Sequence, residues 1–401
     1  MSQDPMIRPI GPRGVLLHVG PHKTGTTAIQ GALAAVRDEL AALGVLYPGQ
    51  TRSQANAGRV ASGFASPIGT VLPPQHHWDD LVDEVRAAPG RVVISSEYFD
   101  VVRSPRTTQI AERLGVERLD VVVTAAPLAS VMPSSWQQAV RSNLRLTFDD
   151  WLHTVFDEPD GRDAAVFWLR QRIDDQVRRW AEVVGPERVH VVVTDKRRPR
   201  RLFDSFEDLL GLPRDLLQSQ STASNRSFTA QEIELVRRVN ERIKARGWSP
   251  AIQARFVRLG AVRQLRGRRP RPDEARVAMP DWAVERANDA ARTMISGIVA
   301  SGADVIGDLD ALITAPADVG PMPAVTTVDM DVAVRAVIGA MRGGGADLLR
   351  EKYATAETVN EYPGVSSAPT ELLRAELARR GVDTDESGRG RRPRRRRSAT
   401  E

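Results

Sequence analysis

Between Gly20 and Gly25 the chain places His22, Lys23 and Thr24, and Thr26 and Thr27 follow directly. An ammonium, an imidazole and three hydroxyls in so short a stretch are groups that grip anionic oxygen. The bounding glycines let backbone turn tightly and approach a ligand closely. The flanking segments decide whether these groups act together. Val15 to Val19 is an apolar run and predicts a short buried strand. Beyond the turn, Ile29, Leu33, Val36 and Leu40 recur on one face and predict a helix over 24–43. The first amide N–H groups of such a helix lack partners, and its dipole favours negative charge. Strand, turn and helix N-terminus therefore predict a phosphate-binding loop over His22–Thr27.

The nucleoside-triphosphatase loop reads G-x-x-x-x-G-K-[ST]. Here the lysine stands two residues before the second glycine instead of after it. No apolar run ends in a clear magnesium-binding aspartate; the nearest is Val191-Val-Val-Thr-Asp195. The variant His22-Lys-Thr-Gly-Thr-Thr27 resembles the 5′-phosphosulfate loop of the sulfotransferase superfamily, which uses 3′-phosphoadenosine 5′-phosphosulfate (PAPS). The resemblance implies that His22, Lys23, Thr24, Gly25, Thr26 and Thr27 hold the 5′ end of that donor. It also implies that Lys23 stands near the oxygen bridging phosphorus and sulfur, where leaving-group charge builds up, with no metal.

The resemblance continues through Val92-Val-Ile-Ser-Ser-Glu97, a second apolar strand with an acidic end, and Leu119-Asp-Val-Val-Val-Thr124, a third. The segment Pro127 to Gln138 is similar to the family's 3′-phosphate segment, where a strand ends in arginine and a serine follows eight residues later. Ser134 fills the serine position, and Ala126 stands where the arginine is expected. A replacement charge could come from Arg141, from Arg226 or from the 263–271 arginines. Residues 180–212 look like the family's next helix–strand–helix block, and Asn225-Arg-Ser227 leads a further helix. The similarity covers roughly residues 14–315.

Transfer also needs a base. Glu97 is the first candidate, because open α/β sheets place ligands at the C-terminal ends of their strands. His22 is the second. His18 alternates into the sheet and reads as a core histidine, and the adjacent His76-His77 pair lacks a carboxylate frame for a metal.

The expected fold is α/β: a P-loop-like parallel sheet with helices on both faces and helical additions toward the C-terminus. Strands are expected at 14–20, 91–96, 119–125 and 188–194. Helices are expected at 78–88, 105–115, 128–143, 200–211, 229–247, 280–303 and 305–313. Residues 47–76 read as a long loop beside the site, and 147–184 as mostly helical. The aromatics Phe148, Trp151, Phe156, Phe167, Trp168 and Trp180 read as core and substrate wall, not as a base-stacking face. The domain plan is a disordered lead at 1–13, the α/β domain at 14–315, a linker at 316–328, a short helical region at 329–380 broken at Gly343-Gly-Gly345, and a disordered arginine-rich tail at 381–401.

The chain has 401 residues, 41% hydrophobic composition and no cysteine, which excludes disulfides and thiolate metal sites. With no apolar run of membrane length and no signal-peptide core, a cytoplasmic protein is expected. The formal charge of +5 misleads. Seven arginines lie in 389–397, and without them 49 basic residues face 51 acids. The tail is suited to nonspecific anion binding. The expected partners are PAPS and a small-molecule or saccharide acceptor; nothing in the sequence fixes the oligomeric state. Competing readings are a degenerate relative that binds nucleotide without transfer, an atypical P-loop kinase, and a nucleic-acid-binding protein acting through the tail.

Overall fold

A computed structural model describes residues 7–64, 72–220 and 226–353, with side chains as far as 345. The arginine-rich tail and residues 354–380 of the expected helical region lie outside the described residues. Six parallel strands form one sheet in the order β2-β3-β1-β4-β5-β6. They are β1 (Val15–Val19), β2 (Val45–Leu46), β3 (Arg91–Ser96), β4 (Leu119–Ala125), β5 (Val189–Val193) and β6 (Asp304–Ile306). The inner strands are mostly β-branched and aliphatic because both faces are covered. Val15, Leu17, Val121 and Val191 enter one core. Leu16, Val93, Val122 and Val192 enter the other.

The first face packs on α4 (His76–Ala87), α5 (Arg106–Leu114) and α9 (Ile173–Val184) through Val85, Leu114 and Trp180. The second packs on α1 (Thr26–Ala35), α2 (Arg37–Ala42) and α10 (Arg201–Leu210) through Ile29, Leu40 and Phe206. Each such side chain contributes roughly 1.5–3 kcal/mol on burial. A third core joins α6 (Leu128–Arg141), α7 (Phe148–Asp157), α8 (Arg162–Gln171), α11 (Ala230–Ala245) and α14 (Asp281–Ser301). Phe148, Trp151 and Phe167 are in it, and Trp180 is in the sheet core, as the helical spacing of these aromatics implied.

Several local expectations need correction. The helix expected over 24–43 is two, parted at Val36, whose backbone (φ −116°, ψ 31°) leaves the helical region. The loop expected over 47–76 contains α3 (Ala55–Ser62), which packs close under the end of β3: a Cβ on Gly58 would lie 2.4 Å from Ser96 Oγ. The helix expected at 305–313 is strand β6 followed by a 3₁₀ turn at Leu309–Leu312. A helical run from α12 (Pro250–Ile252) through a π-helical stretch (Gln253–Ala261) to α13 (Val262–Arg266) went unread.

Gly343-Gly-Gly345 does not break its segment: α15 (Met330–Tyr353) runs straight through it. Gly343 and, one turn earlier, Gly339 let α15 press backbone to backbone on the π-helix. A Cβ on Gly343 would lie 2.4 Å from Arg255 O, and one on Gly339 2.7 Å from Gly260 O. The helix propensity lost at each glycine, about 1 kcal/mol, is offset by that approach.

Candidate active site

β1 is central, and the chain leaves it toward β3 on one side and returns to β4 on the other. That reversal leaves a crevice at the C-terminal strand ends, where open α/β sheets bind ligands. Val19 pairs with Ser96 and with Val123, so the next residues, Gly20, Glu97 and Thr124, stand level at its mouth.

The loop from Gly20 turns sharply because Lys23 (φ 75°) and Gly25 (φ 95°) both adopt left-handed backbone. Helix α1 then starts with no side-chain cap, which leaves first-turn amides for a ligand. Gly20 has no room for a side chain: a Cβ would lie 2.4 Å from Thr26 Oγ1 and 2.6 Å from its Cγ2.

A directed hydroxyl chain anchors the loop. Thr24 Oγ1 donates to Pro21 O at 2.8 Å and, its proton used, accepts from Thr124 Oγ1 at 2.6 Å. Thr124 in turn accepts from His18 Nε2 at 3.3 Å, and His18 Nδ1 accepts from Ser95 Oγ at 2.8 Å. Burial pushes His18 down to about 3, so it stays neutral and fits this chain. Thr24 thus anchors the loop through its hydroxyl. Thr26 Oγ1 also reaches Pro21 O, at 3.3 Å, and Thr27 is half-buried at the helix start.

Lys23 lines the crevice wall, in contact with solvent but crowded by protein. Loss of hydration, then the charges of Arg141 and Arg266, push its ammonium down to about 8. Arg141, in the last turn of α6, is pushed down to about 10 by burial and then by Arg266 and Arg258. Its Nε donates to Gln137 O at 3.2 Å and its guanidinium lies 5.6 Å from the Phe228 ring centre. Gln253 donates to Arg141 O at 3.4 Å, tying the π-helix that carries Arg258 to the end of α6. Among the described residues, none of these four cations has a carboxylate partner. Like charges gathered without counterions raise the local positive potential and favour an anion there.

The other candidates separate. Arg226 spends all five N–H donors on Glu232, at 2.7 Å twice, and on the carbonyls of Ser227, Leu265 and Arg268. It ties the start of α11 together. In the arginine-dense stretch, Arg266 faces the crevice. Arg268 is buried against Glu274, Glu232 and Asp331, and Arg271 pairs with Asp329. Ser134 Oγ donates back to Val131 O at 2.9 Å on α6. Glu97 opens a 3₁₀ turn (Glu97–Val101) and accepts from Gln30 Nε2 at 3.3 Å. His76 and His77 stack in the first turn of α4. No group of three His, Asp or Glu gathers as a metal site among the described residues.

Three residues went unread in sequence. Asp100, fully buried, lies 2.9 Å from His22 Nδ1 through Oδ2. Arg170 Nη1 lies against both ring nitrogens of His22, 2.7 Å from Nε2 and closer to Nδ1, and Gln171 Nε2 donates to His22 O at 3.2 Å. Asp100 follows Glu97 by one 3₁₀ turn, the one local signal available. Arg170 and Gln171, on α8, carry none. A separate groove of about 760 Å³ lies between α8, α9 and α14, lined by Trp168, Arg172, Arg179 and Ala290. No residue of the loop lines it, and the chemistry assembled around Lys23 marks the site better than volume does.

No helix among the described residues is long and apolar enough to cross a membrane. No family model matches the chain, and no curated protein matches it. Among solved structures, a sulfotransferase from Alicyclobacillus acidocaldarius is similar to it, with 16% sequence identity and a TM-score of 0.39, over 61% of this chain and 99% of that chain.

Proposed function

We propose that this chain is a PAPS-dependent sulfotransferase that moves a sulfuryl group onto a hydroxyl or amine of a small molecule or saccharide. The observation that carries the reading is Lys23 in a left-handed turn at the helix start, with Arg141 and Arg266 beside it and, among the described residues, no acid paired with them. PAPS supplies a sulfuryl group already activated by its anhydride bond to phosphate. The loop amides would hold its 5′-phosphate, and Lys23 would offset charge on the oxygen that leaves. Arg141 and Arg266 would serve the 3′-phosphate in place of the arginine that Ala126 lacks. Glu97 and His22 stand at the same sheet end as base candidates.

Calorimetry with 3′-phosphoadenosine 5′-phosphate (PAP) and with AMP tests this. PAP should bind more tightly, and Arg141→Ala should remove about 10- to 100-fold of that preference, the value of one charged hydrogen bond. Equal affinity for both nucleotides in the wild type would refute a 3′-phosphate site. Magnesium-dependent ATP consumption would favour a kinase instead.

A further inference from the structure

We infer that Asp100 is the positioning residue for a base at His22, an inference that rests on the sulfuryl-transfer reading above. An ionised carboxylate oxygen only accepts, so the ring nitrogen facing Asp100 Oδ2 carries the proton. That nitrogen is Nδ1, which donates to Asp100 Oδ2 at 2.9 Å and leaves Nε2 as the acceptor. Arg170 Nη1 lies against both ring nitrogens, 2.7 Å from Nε2 and closer to Nδ1. Asp100 is wholly enclosed, and its Oδ1 has no hydrogen-bond partner among the described residues. A carboxylate kept under those conditions, with His22 as its nearest contact, selects one tautomer and one ring orientation.

The ring cannot drift. Gln171 holds the His22 carbonyl, and Asp100 sits in the 3₁₀ turn that follows β3, the neighbour of β1. Next in the chain is Lys23, so the base and the leaving-group cation are adjacent. In transfer, an acceptor hydroxyl would replace Arg170 at Nε2. Its oxygen bonds to sulfur as the sulfur–oxygen bond to the 5′-phosphate breaks. The bonding pair leaves with that phosphate beside Lys23, and the acceptor proton passes to His22 Nε2 and then to solvent. Arg170, itself 3.4 Å from Asp100, stays close to the sulfuryl oxygens.

The test uses the full-length chain with ¹⁵N-labelled histidine, the His22 signals being assigned by their loss in His22→Gln. Wild type should show the Nδ1–H tautomer. In Asp100→Asn the carboxamide N–H meets Nδ1 and the tautomer should switch to Nε2–H. PAPS cleavage with water as acceptor should fall by about 100-fold or more in Asp100→Asn, while PAP affinity stays within about threefold. Asp100→Glu should recover part of the rate. An Nε2–H tautomer in the wild type overturns the inference. So does an Asp100→Asn protein that cleaves PAPS at the wild-type rate with an unchanged pH profile. Failure of the donor reading looks different: no heat with PAP in either protein, which removes this inference with it.

Discussion

Arg141, at the end of α6, helps push down the ammonium of Lys23, in the turn after β1, and among the described residues neither has a carboxylate partner. A bare pair of cations is unfavourable until an anion arrives, and this sets the pH response. Burial, then Arg141 and Arg266, hold Lys23 at about 8 in the free protein. Below that pH the ammonium is charged and ready. Above it the amine must first take up a proton. PAP affinity should therefore be flat below pH 8 and fall by up to about tenfold per unit above it. Calorimetry in buffers of different ionisation heat should show proton uptake on binding near pH 9. Arg141→Ala should move the break upward, toward the ordinary lysine value. Affinity that stays level from pH 7 to 9.5 would remove Lys23 from the anion contact.

Gly20 is the second test of the cradle. A methyl group there would collide with Thr26 Oγ1 and Cγ2, and 2.9 Å away with the His18 ring. Thr26 is in the first turn of α1, so the helix start must shift to make room. Gly20→Ala should cost about 1–3 kcal/mol of stability, as overpacking does. It should weaken PAP by more than about tenfold. Thermal melts with and without PAP read both. A variant that binds PAP normally would show that the amides of α1 are not the contact.

Ala126 bears on how the arginine loss is tolerated. It borders a void of about 10 Å³ walled by Leu128, Gln171, Ile173, Ala291, Met294 and Ile298. A guanidinium pointed into that void has no room and meets no acid among its walls. Ala126→Arg should destabilise the chain by about 1–3 kcal/mol and leave PAP affinity no better than wild type. A gain in affinity would mean that Arg141 and Arg266 do not serve the 3′-phosphate.

These outcomes also mark what could be read from residue order. The strands β1, β3, β4 and β5 were legible because each is a predominantly apolar run, buried on both faces. β6 was not: three residues at a sheet edge carry too little periodicity to tell strand from helix. Lys23 and its loop were legible because every group needed lies within a few positions. The charges around it were only partly so. Arg141 and Arg266 were named among several arginines, and sequence offered no way to see that Arg226 is consumed by Glu232. Asp100 and Arg170 lie 78 and 148 residues from His22, and only the fold brings them together. The glycines at 343–345 read as a break because intrinsic propensity ignores the helix that Gly343 and Gly344 press against.

His190 should govern alkaline stability, independently of the crevice. On β5 it bridges its two neighbours, with Nδ1 3.0 Å from Asp304 Oδ2 on β6 and Nε2 3.4 Å from Asp120 Oδ1 on β4. Burial alone would lower it, but the hydrogen bonds to Asp120 and Asp304 outweigh that and raise it to about 9. The folded value thus lies above the unfolded 6.5. The bridge is fully present below pH 6.5, weakens across the window from 6.5 to 9, and is lost above it. Its worth is on the order of 2–3 kcal/mol at the acid end of that window. Urea titrations at pH 6 and pH 9.5 should differ by about that amount in wild type. His190→Gln should be less stable at pH 6 and lose most of the difference. A wild-type difference that survives the substitution would place the alkaline loss elsewhere in the fold.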